Sequence, residues 1–241
     1  MNDRPAPDIG LLEGMATTRA IRRYRDEPIP QDALAAIMFA ATRAPSGSNR
    51  QPFRFLVLRD GPRAIEAKAL LGQAFRTGWE RKRAADGYEG GTGAIEMSPK
   101  ARMAAAMQQY VDRFERIPVV VLACLNRYRA ASPYEGASVY PACQNLLLAA
   151  RALGYGGAMT LWHQAIEPEL RVLLDIPHDT AISATITLGV PEGSHGPVRR
   201  RPLDELVFDD HWGAVAGWAV EPAGVRHTSA GPPRNPSASP S

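Results

Sequence analysis

Hydrophobic residues recur along this chain with two different periods, and each period predicts a different kind of element. Asp32–Arg43 places its apolar positions on one face at helical spacing, and the apolar stretch Val139–Leu153 predicts a more deeply buried helix. Phe53–Leu58, Pro118–Leu125 and Ala181–Val190 are apolar throughout or at alternate positions, which predicts three strands. Long helices between few strands, without regular β-α alternation, indicate a layered α+β fold.

Two further helices are expected on either side of the least regular part of the chain. Gly61–Phe75 and Ala101–Phe114 read as helices, while Arg76–Lys100 contains a basic run followed by a glycine-rich run. Glycine at this density is typical of a mobile loop. We therefore predict a single domain over residues 1–221 with 76–100 as a lid-like insertion. The Pro-, Ser- and Gly-rich tail 222–241 is predicted to be disordered or loosely draped, because it cannot bury a core.

Composition excludes several classes of protein. The 241 residues are 45% hydrophobic and 22% charged, with a net charge of +3. Because most basic residues are interleaved with acids, the charge favours no nucleic-acid partner. No stretch reaches the roughly 18 apolar residues of a membrane span, and the first residues do not resemble a signal peptide, so we expect a cytoplasmic protein. Cys124 and Cys143 are expected to be buried thiols rather than a disulfide.

The chain shows no self-contained catalytic motif. It has no Walker A sequence, no nucleophile elbow and no pair of histidines at metal-ligand spacing, so we predict no metal site. Gly154-Tyr-Gly-Gly-Ala-Met is similar to a dinucleotide fingerprint, but it ends in methionine and follows a predicted helix. The histidines are predicted to be structural or exposed, except His163, which lies just past this glycine-rich turn. If the protein is an enzyme, a bound cofactor is expected to carry the chemistry.

Two segments offer candidate binding groups. Arginine is concentrated at Arg19, Arg22, Arg23 and Arg25 and again at Arg199, Arg200 and Arg201. Guanidinium groups match phosphate oxygens, so the two clusters could meet on one phosphate, although each could equally be a solvated surface. The loop within Ala44–Phe55 is dense in hydroxyls, amides, glycine and proline, which suits either an ordinary turn or a ligand-holding loop.

Taken together, these segments resemble the FMN-dependent nitroreductase family. Ala44–Phe55 is similar to the family pattern Ala-Pro-Ser-Ser/Gly-x-Asn-x-Gln-Pro-Trp/Phe-x-Phe, and Thr18–Tyr24 resembles its Arg-Arg-Ser-x-Arg-x-Phe/Tyr opening. The apolar helix from Gln144, the Leu-Gly-Val-Pro sequence and Arg-Arg-Arg-Pro-Leu resemble its second half. The resemblance runs from Met15 to Trp212, interrupted at 76–100. Thr18 and Ala20 depart from it, standing where the family often has arginine and serine.

The resemblance implies a nitroreductase-like fold: a mixed, mainly antiparallel central sheet flanked by helices, in an intertwined homodimer with FMN at the interface. The arginines would hold the FMN phosphate, the loop would reach the flavin of the partner subunit, and the chain near Met159–Trp162 would pass the flavin edge. The implied cofactor-binding residues are Arg19, Ala20, Arg22, Pro45, Ser46, Gly47, Asn49, Thr160, Leu161, Arg199 and Arg201.

The reaction implied by this resemblance is ping-pong hydride transfer through flavin N5, from NAD(P)H to a nitroaromatic or quinone-like acceptor. NADPH is favoured as co-substrate because Arg81, Lys82 and Arg83, in the predicted lid, could recognise its 2′-phosphate. The same fold could instead serve an enone reductase, a dehalogenase or a flavin-cleaving enzyme. A non-catalytic protein that stores or senses flavin is the alternative of a different class.

Overall fold

The computed structural model describes residues 9–198 and 200–221 of the chain. The predictions made for Arg199 and for the tail 222–241 therefore lie outside the described residues. Among the helices that are described, none combines the length and the apolar composition needed to cross a membrane.

The centre of the fold is an antiparallel sheet of four strands in the order β1-β2-β4-β3. The strands are β1 (Phe53–Leu58), β2 (Val119–Asn126), β3 (Gly156–Thr160) and β4 (Thr180–Gly189). β2 lies between β1 and β4, with Val57 opposite Val121 and Leu122 opposite Thr185. Because β2 is covered on both faces, its sequence is apolar up to Leu125 rather than alternating. The predicted α+β fold class is confirmed.

Helices pack against both faces of the sheet. They are α1 (Leu11–Thr17), α2 (Gln31–Ala41), α3 (Pro62–Ala85), α4 (Pro99–Asp112), α5 (Tyr140–Ala152) and α6 (Glu167–Leu173). Side chains of β2 alternate between two hydrophobic clusters, as the strand period requires. Val121 joins the cluster formed with α2 and α5, whereas Leu122 joins the cluster formed with α3, α4 and α6. Both cysteines are free and buried, as predicted.

The prediction that Arg76–Lys100 is irregular was wrong for its first part, because α3 continues without interruption to Ala85. The extension is held by burial: Phe75 and Trp79 lie one turn apart on the same face and are almost completely inaccessible to solvent. Gly78 does not break the helix, and its backbone lies against the ring of Trp162, 3.5 Å from where a Cβ would be, an ordinary packing distance. The glycine-rich part then forms turns that lead to α4.

The sequence prediction also missed β3, the edge strand that follows the glycine-rich turn. Gly154 ends α5 with a φ of 82°, as predicted, and the two glycines at 156 and 157 then enter the sheet. Glycine has a low strand propensity, so local sequence gives little sign of this strand. Pairing with β4, where Gly157 lies opposite Leu188, stabilises it instead.

The N-terminal arm, which we define as residues 16–25, packs across the end of the sheet. The amide of Ile21 donates to the carbonyl of Gly157 (2.9 Å) and the amide of Arg25 donates to the carbonyl of Val190 (2.9 Å). The glycines of the sheet make room for the arm: a Cβ at Gly156 would lie 2.6 Å from the Ile21 side chain. The arm therefore carries its arginines to a fixed position beside β3.

Candidate functional site

The arm presents two of the predicted cofactor-binding arginines in different surroundings. Arg19 is exposed and donates from Nη2 to the carbonyl of Ser194 (2.8 Å). Arg22 is half-buried and lines a narrow crevice together with Tyr110 and Arg113 of the α4 region. Within the described residues, neither Arg19 nor Arg22 forms an ion pair with a carboxylate. Both guanidinium groups can therefore interact with an anionic ligand, and Ala20 between them is exposed.

A buried network of hydroxyl groups holds the arm in place. Tyr24 donates from its hydroxyl to the carbonyl of Ile21 (2.5 Å) and lies 2.9 Å from the Thr187 hydroxyl. The hydroxyl of Tyr110 reaches the same Thr187 oxygen at 3.1 Å. Burial raises the pKa of Tyr24 well above its ordinary 10.0 and that of Tyr110 to about 12, so both phenols stay neutral. The network thus joins the arm, α4 and β4.

The segment 190–198 runs antiparallel to the arm. It precedes the second arginine-rich region in the chain and so brings the start of that region close to the arm. The amide of Glu192 donates to the carbonyl of Arg23 (3.1 Å), and the amide of Val198 donates to the carbonyl of Ala16 (3.2 Å). This pairing places residues 194–196 next to Arg19. Further along, Arg201 donates to Glu205 (3.3 Å), so part of its charge is already compensated.

The loop at 45–51 has a backbone that is unusual for its sequence. Ser48, Asn49 and Gln51 all have φ near +50°, a region that residues other than glycine adopt at a cost of about 1 kcal/mol or more each. Ser46 stabilises this shape by accepting a hydrogen bond from the Gln51 amide (2.9 Å). Pro45, Gly47 and Asn49 are exposed and Ser46 is partly exposed, so the loop points its polar groups outward.

The end of β3 is the third predicted part of the site. Thr160 is the last residue of the strand, and Leu161 after it is 44% exposed. Trp162 turns inward and packs edge-on against Phe75, with 5.3 Å between ring centroids. His163 is fully buried: its Nε2 bonds to the Ile182 carbonyl (3.0 Å) and its Nδ1 to the Thr185 hydroxyl (3.1 Å). This histidine, which the sequence left open, is occupied in structural contacts.

An open cavity of about 550 Å³ lies between α3 and the chain that follows β3. Leu161 and Trp162 form part of its apolar wall, and Arg81 is on its rim. Lys82 and Arg83 lie on the same helix but are paired elsewhere, Lys82 with Asp86 (2.6 Å) and Arg83 with Glu89 (2.5 Å). Of the three basic residues predicted to recognise NADPH, the structure therefore brings only Arg81 to this cavity.

Sequence reasoning missed three polar residues near Arg19. Thr18 Oγ1, Arg151 Nε and His195 Nδ1 are each buried and have no hydrogen-bond partner within the part of the chain that is described. In the sequence, Thr18 is only a departure from a family pattern, and Arg151 is one basic residue in the last turn of α5. No local pattern in the sequence connects the three, because they come from separate elements.

The geometry fits an elongated anionic cofactor with a flat, less polar end. Cationic side chains and partnerless polar atoms lie near the start of β3, where His195 bonds to the carbonyl of Tyr155 (3.1 Å). Leu161 and the open cavity lie at the other end of β3. The five residues of this strand span roughly 16 Å at the usual rise per residue. A phosphate and a planar ring joined by a flexible chain could occupy the two ends.

Known proteins resemble this chain over most of its length. An NADH dehydrogenase from Thermus thermophilus is 29% identical over 209 residues, which cover 79% of this chain and 91% of that protein. A 5,6-dimethylbenzimidazole synthase from Rhodospirillum rubrum is 27% identical over 200 residues, covering 78% of this chain and 82% of the synthase.

The fold also matches that of a solved structure. A presumed nitroreductase from Desulfovibrio desulfuricans, crystallised in complex with FMN, superposes with a TM-score of 0.62 at 27% identity. The match covers 85% of this chain and 99% of that one. The sequence profile of the Nitroreductase family matches residues 15–190, which include the arm, the 45–51 loop and all four strands. This chain is a member of the nitroreductase family.

Proposed function

We propose that this protein is an FMN-dependent oxidoreductase that uses NAD(P)H to reduce nitroaromatic or quinone-like acceptors. The observation that carries the proposal is the arrangement along β3. Arg19 and Arg22, which form no ion pair with a carboxylate of the described chain, lie at one end of the strand, and an open, partly apolar cavity lies at the other. The match to a chain crystallised with FMN supports the identity of the cofactor.

The arm would bind the phosphate end of the cofactor, and the end of β3 would face its ring. Arg19 and Arg22 would bind the phosphate and the adjoining ribityl chain, with charge that does not depend on the working pH. Arg201, and Arg199 outside the described residues, would approach the phosphate from the following segment. Backbone N–H groups at Thr160 and Leu161 would face the ring edge, where preorganised donors stabilise developing negative charge.

Bound FMN would supply two-electron transfer between a nicotinamide and an acceptor, which no side chain of this protein can do. The chain itself would orient the two substrates in turn. Leu161 and Trp162 would provide an apolar wall for a planar ring, and Arg81 would attract an anionic group at the rim. Solvent could provide the proton that the product needs, because the cavity is open. Because α3 is fixed as far as Ala85, only the part of the predicted lid that follows it, residues 86–98, is proposed to move over this cavity.

We also propose that two copies of the chain assemble before the site is complete. Large apolar side chains are exposed on several elements: Leu11, Leu12 and Met15 on α1, Phe39 on α2, and Trp212, Val215 and Trp218 near the end of the described chain. Apolar exposure of this extent is typical of an interface rather than of a monomer surface. In the dimer, Pro45, Ser46, Gly47 and Asn49 of one copy would reach the cofactor held by the other.

The decisive experiment follows the absorbance of FMN bound to the purified protein, without oxygen, before and after NADPH is added. We expect the flavin band to bleach and then to return when a nitroaromatic or a quinone is supplied. A protein that takes up no FMN contradicts the proposal. A protein that binds FMN but is not bleached by NADPH or NADH supports storage or sensing instead. Bleaching without reoxidation by these acceptors favours another reductive reaction.

The role of Arg81 can be tested with a control on the same helix. We expect Arg81→Ala to raise the KM for NADPH about tenfold, because one charge-assisted contact contributes about 1.4 kcal/mol or more, and to leave the KM for NADH unchanged. Lys82→Ala removes the same charge from a residue paired with Asp86, so its ratio of NADPH to NADH KM values should match that of the wild type. If the ratio of the NADPH KM to the NADH KM is the same in Arg81→Ala as in Lys82→Ala, Arg81 does not recognise the 2′-phosphate.

The assembly can be tested by light scattering on protein eluting from a sizing column. We expect a mass twice that of the 26.1 kDa chain. A variant with Trp212 and Trp218 replaced by serine should shift the population toward monomer and weaken FMN binding in the same concentration range. A wild-type protein that elutes as a monomer with full FMN content would contradict the shared site.

A further inference from the structure

The open cavity between α3 and the chain that follows β3 is lined by one charged residue of each sign. Arg81 of α3 is the cation and Glu169 of α6 is the anion, and both residues are exposed. Within the described part of the chain, neither side chain takes part in an ion pair or a hydrogen bond. Both charges are therefore accessible to a molecule that enters the cavity.

The charged neighbours of these two residues are already paired. On α3, Lys82 forms an ion pair with Asp86 (2.6 Å). On α6, Glu167 forms an ion pair with Arg171 (2.6 Å). In each helix the charge that lines the cavity is thus the one that its neighbours leave without a partner. This selection indicates that the cavity holds a ligand with charges of its own.

The chain from 162 to 175 runs antiparallel to α3. Near the end of the helix, the backbone of Gly78 lies against the ring of Trp162, 3.5 Å from where a Cβ would be. Near the start of the helix, Arg63 forms an ion pair with Asp175. The residues between Trp162 and Asp175 therefore lie opposite the middle of α3.

This direction places the two charges toward opposite ends of the cavity. Glu169 is about midway between the two contacts in its own segment, so it lies opposite the part of α3 that contributes Leu70 to the cavity. From Leu70 to Arg81 the helix rises roughly 16 Å. Because both charged side chains can reach inward, one molecule shorter than this distance can contact both of them.

The lining between the two charges suits an uncharged ring. Ala74 is buried and Trp162 is half-buried, which gives the cavity an apolar surface. Gln73, Thr77 and Gln164 add amide and hydroxyl groups but no charge. The volume of about 550 Å³ lies within the range of sites for small molecules. The cavity therefore matches a ring that carries opposite charges on its two sides.

We propose that the electron acceptor of this protein is a dipolar aromatic compound, with a carboxylate bound by Arg81 and an ammonium group bound by Glu169. The proposal rests on the proposed function, because it names the class of acceptor for that reaction. For a nitro acceptor, one turnover would oxidise one NAD(P)H to NAD(P)⁺, take one proton from solvent, reduce the nitro group to a nitroso group and release one water. An acceptor with a single charge would leave one of the two residues without a partner.

A purely structural role for Glu169 makes a different prediction. Glu169 lies in the first turn of α6, where an anion favours the positive end of the helix dipole. If this were its only role, replacing Glu169 would lower the melting temperature of the protein. It would not change how the protein distinguishes a cationic acceptor from an uncharged one.

The test compares four acceptors that share one nitrobenzene ring. A nitrobenzoate with an aminomethyl group para to its carboxylate is dipolar. Replacing the aminomethyl group by methyl gives the anionic acceptor, replacing the carboxylate by methyl gives the cationic one, and replacing both gives an uncharged nitroxylene. The FMN-loaded protein is assayed without oxygen, with NADH as the donor because Arg81 is proposed to contact the 2′-phosphate of NADPH. In a ping-pong reaction, kcat/KM for the acceptor does not depend on the donor.

Each kcat/KM is divided by that for the uncharged acceptor, and the ratios are compared between variants. We expect Glu169→Gln to lower the ratios of the dipolar and cationic acceptors about five- to tenfold and to leave that of the anionic acceptor unchanged. Arg81→Gln should lower the ratios of the dipolar and anionic acceptors by a similar factor. Glu66→Gln removes an exposed charge of α3 that does not line the cavity, and Lys82→Gln removes a paired one, so both should keep all three wild-type ratios.

A charge reversal gives a second measurement at the same position. Glu169→Lys should make the anionic acceptor a better substrate than the cationic one, which a change in stability alone does not predict.

The outcomes separate this proposal from the proposed function. If the wild type reduces the uncharged acceptor but the variants keep its ratios, the dipolar acceptor is wrong and the oxidoreductase function stands. If only the Arg81 variant changes the ratios, the cavity selects anions and the role of Glu169 is overturned. If the wild type takes up no FMN and reduces none of the four compounds, the proposed function fails and the acceptor class fails with it.

Discussion

Replacing Thr187 by valine should destabilise the protein by about 2 kcal/mol, because the Thr187 hydroxyl is the meeting point of a buried network. Thr187 is completely buried in β4, and its Oγ1 lies 2.9 Å from the Tyr24 hydroxyl and 3.1 Å from the Tyr110 hydroxyl. Valine has nearly the same shape, so the change removes the hydroxyl without creating a large cavity.

The size of this destabilisation depends on which hydrogen bonds Tyr24 and Tyr110 lose when the Thr187 hydroxyl is removed. Tyr24 still donates to the carbonyl of Ile21, so its hydroxyl stays satisfied. Tyr110 loses the one partner that the described chain offers it, and a buried hydroxyl without a partner costs about 1–3 kcal/mol. The better burial of the added methyl group offsets part of this cost. Thr187→Ser is the matched control: it keeps the hydroxyl and loses a methyl group, at about 1 kcal/mol.

Urea unfolding at a fixed protein concentration measures these differences in free energy. Tyr110→Phe alone should cost about 1 kcal/mol, whereas in the Thr187→Val background it should cost nothing or stabilise the protein, because it removes a buried hydroxyl that is already unpaired there. The reasoning is refuted if Thr187→Val costs less than Thr187→Ser. It is also refuted if Tyr110→Phe costs the same in both backgrounds.

Three further outcomes can be measured on the same protein. Burial lowers the pKa of His163 below its ordinary 6.5, so stability should be fully present above that pH and fall as the pH drops below it. The melting temperature of His163→Gln should depend less on pH between 7.5 and 5.5 than that of the wild type. Burial raises the pKa of Tyr110 to about 12, so stability should fall as the pH rises above 10, and the urea midpoint of Tyr110→Phe should fall less. Gly189→Ala should cost about 2 kcal/mol in thermal unfolding, because its Cβ would lie 2.8 Å from the Tyr24 ring, whereas Gly217→Ala, with nothing within 4 Å, should stay close to the wild type.

Much of the fold could be predicted because it depends on local patterns. β1, β2, β4 and α5 begin and end within two residues of their predicted limits, since each is long or apolar enough to set its own period. The glycine at 154 ended α5 as predicted because few other residues adopt a positive φ there.

The predictions from sequence were wrong where an element is stabilised by residues that are distant from it in the chain. The last turns of α3 are helical because Trp79 is buried, a fact that depends on residues from α4 and beyond. The strand β3 exists because β4 supplies its hydrogen-bond partners, and its own glycines favour no regular structure. Lys82 and Arg83 were grouped with Arg81 because they are adjacent in sequence, but a helix directs neighbouring side chains to different sides.

The order of residues along the chain was enough to predict the fold class and most of the elements. It also carried the resemblance of Ala44–Phe55 and the arginine-rich arm to one family. Which partner each arginine contacts depends instead on how the elements pack in three dimensions. Arg19 lies near His195 because the arm crosses the end of the sheet, and of the basic residues 81–83 Arg81 reaches the cavity because of its angle on α3. Contacts of this kind join residues that are far apart in the chain, and no local pattern specifies them.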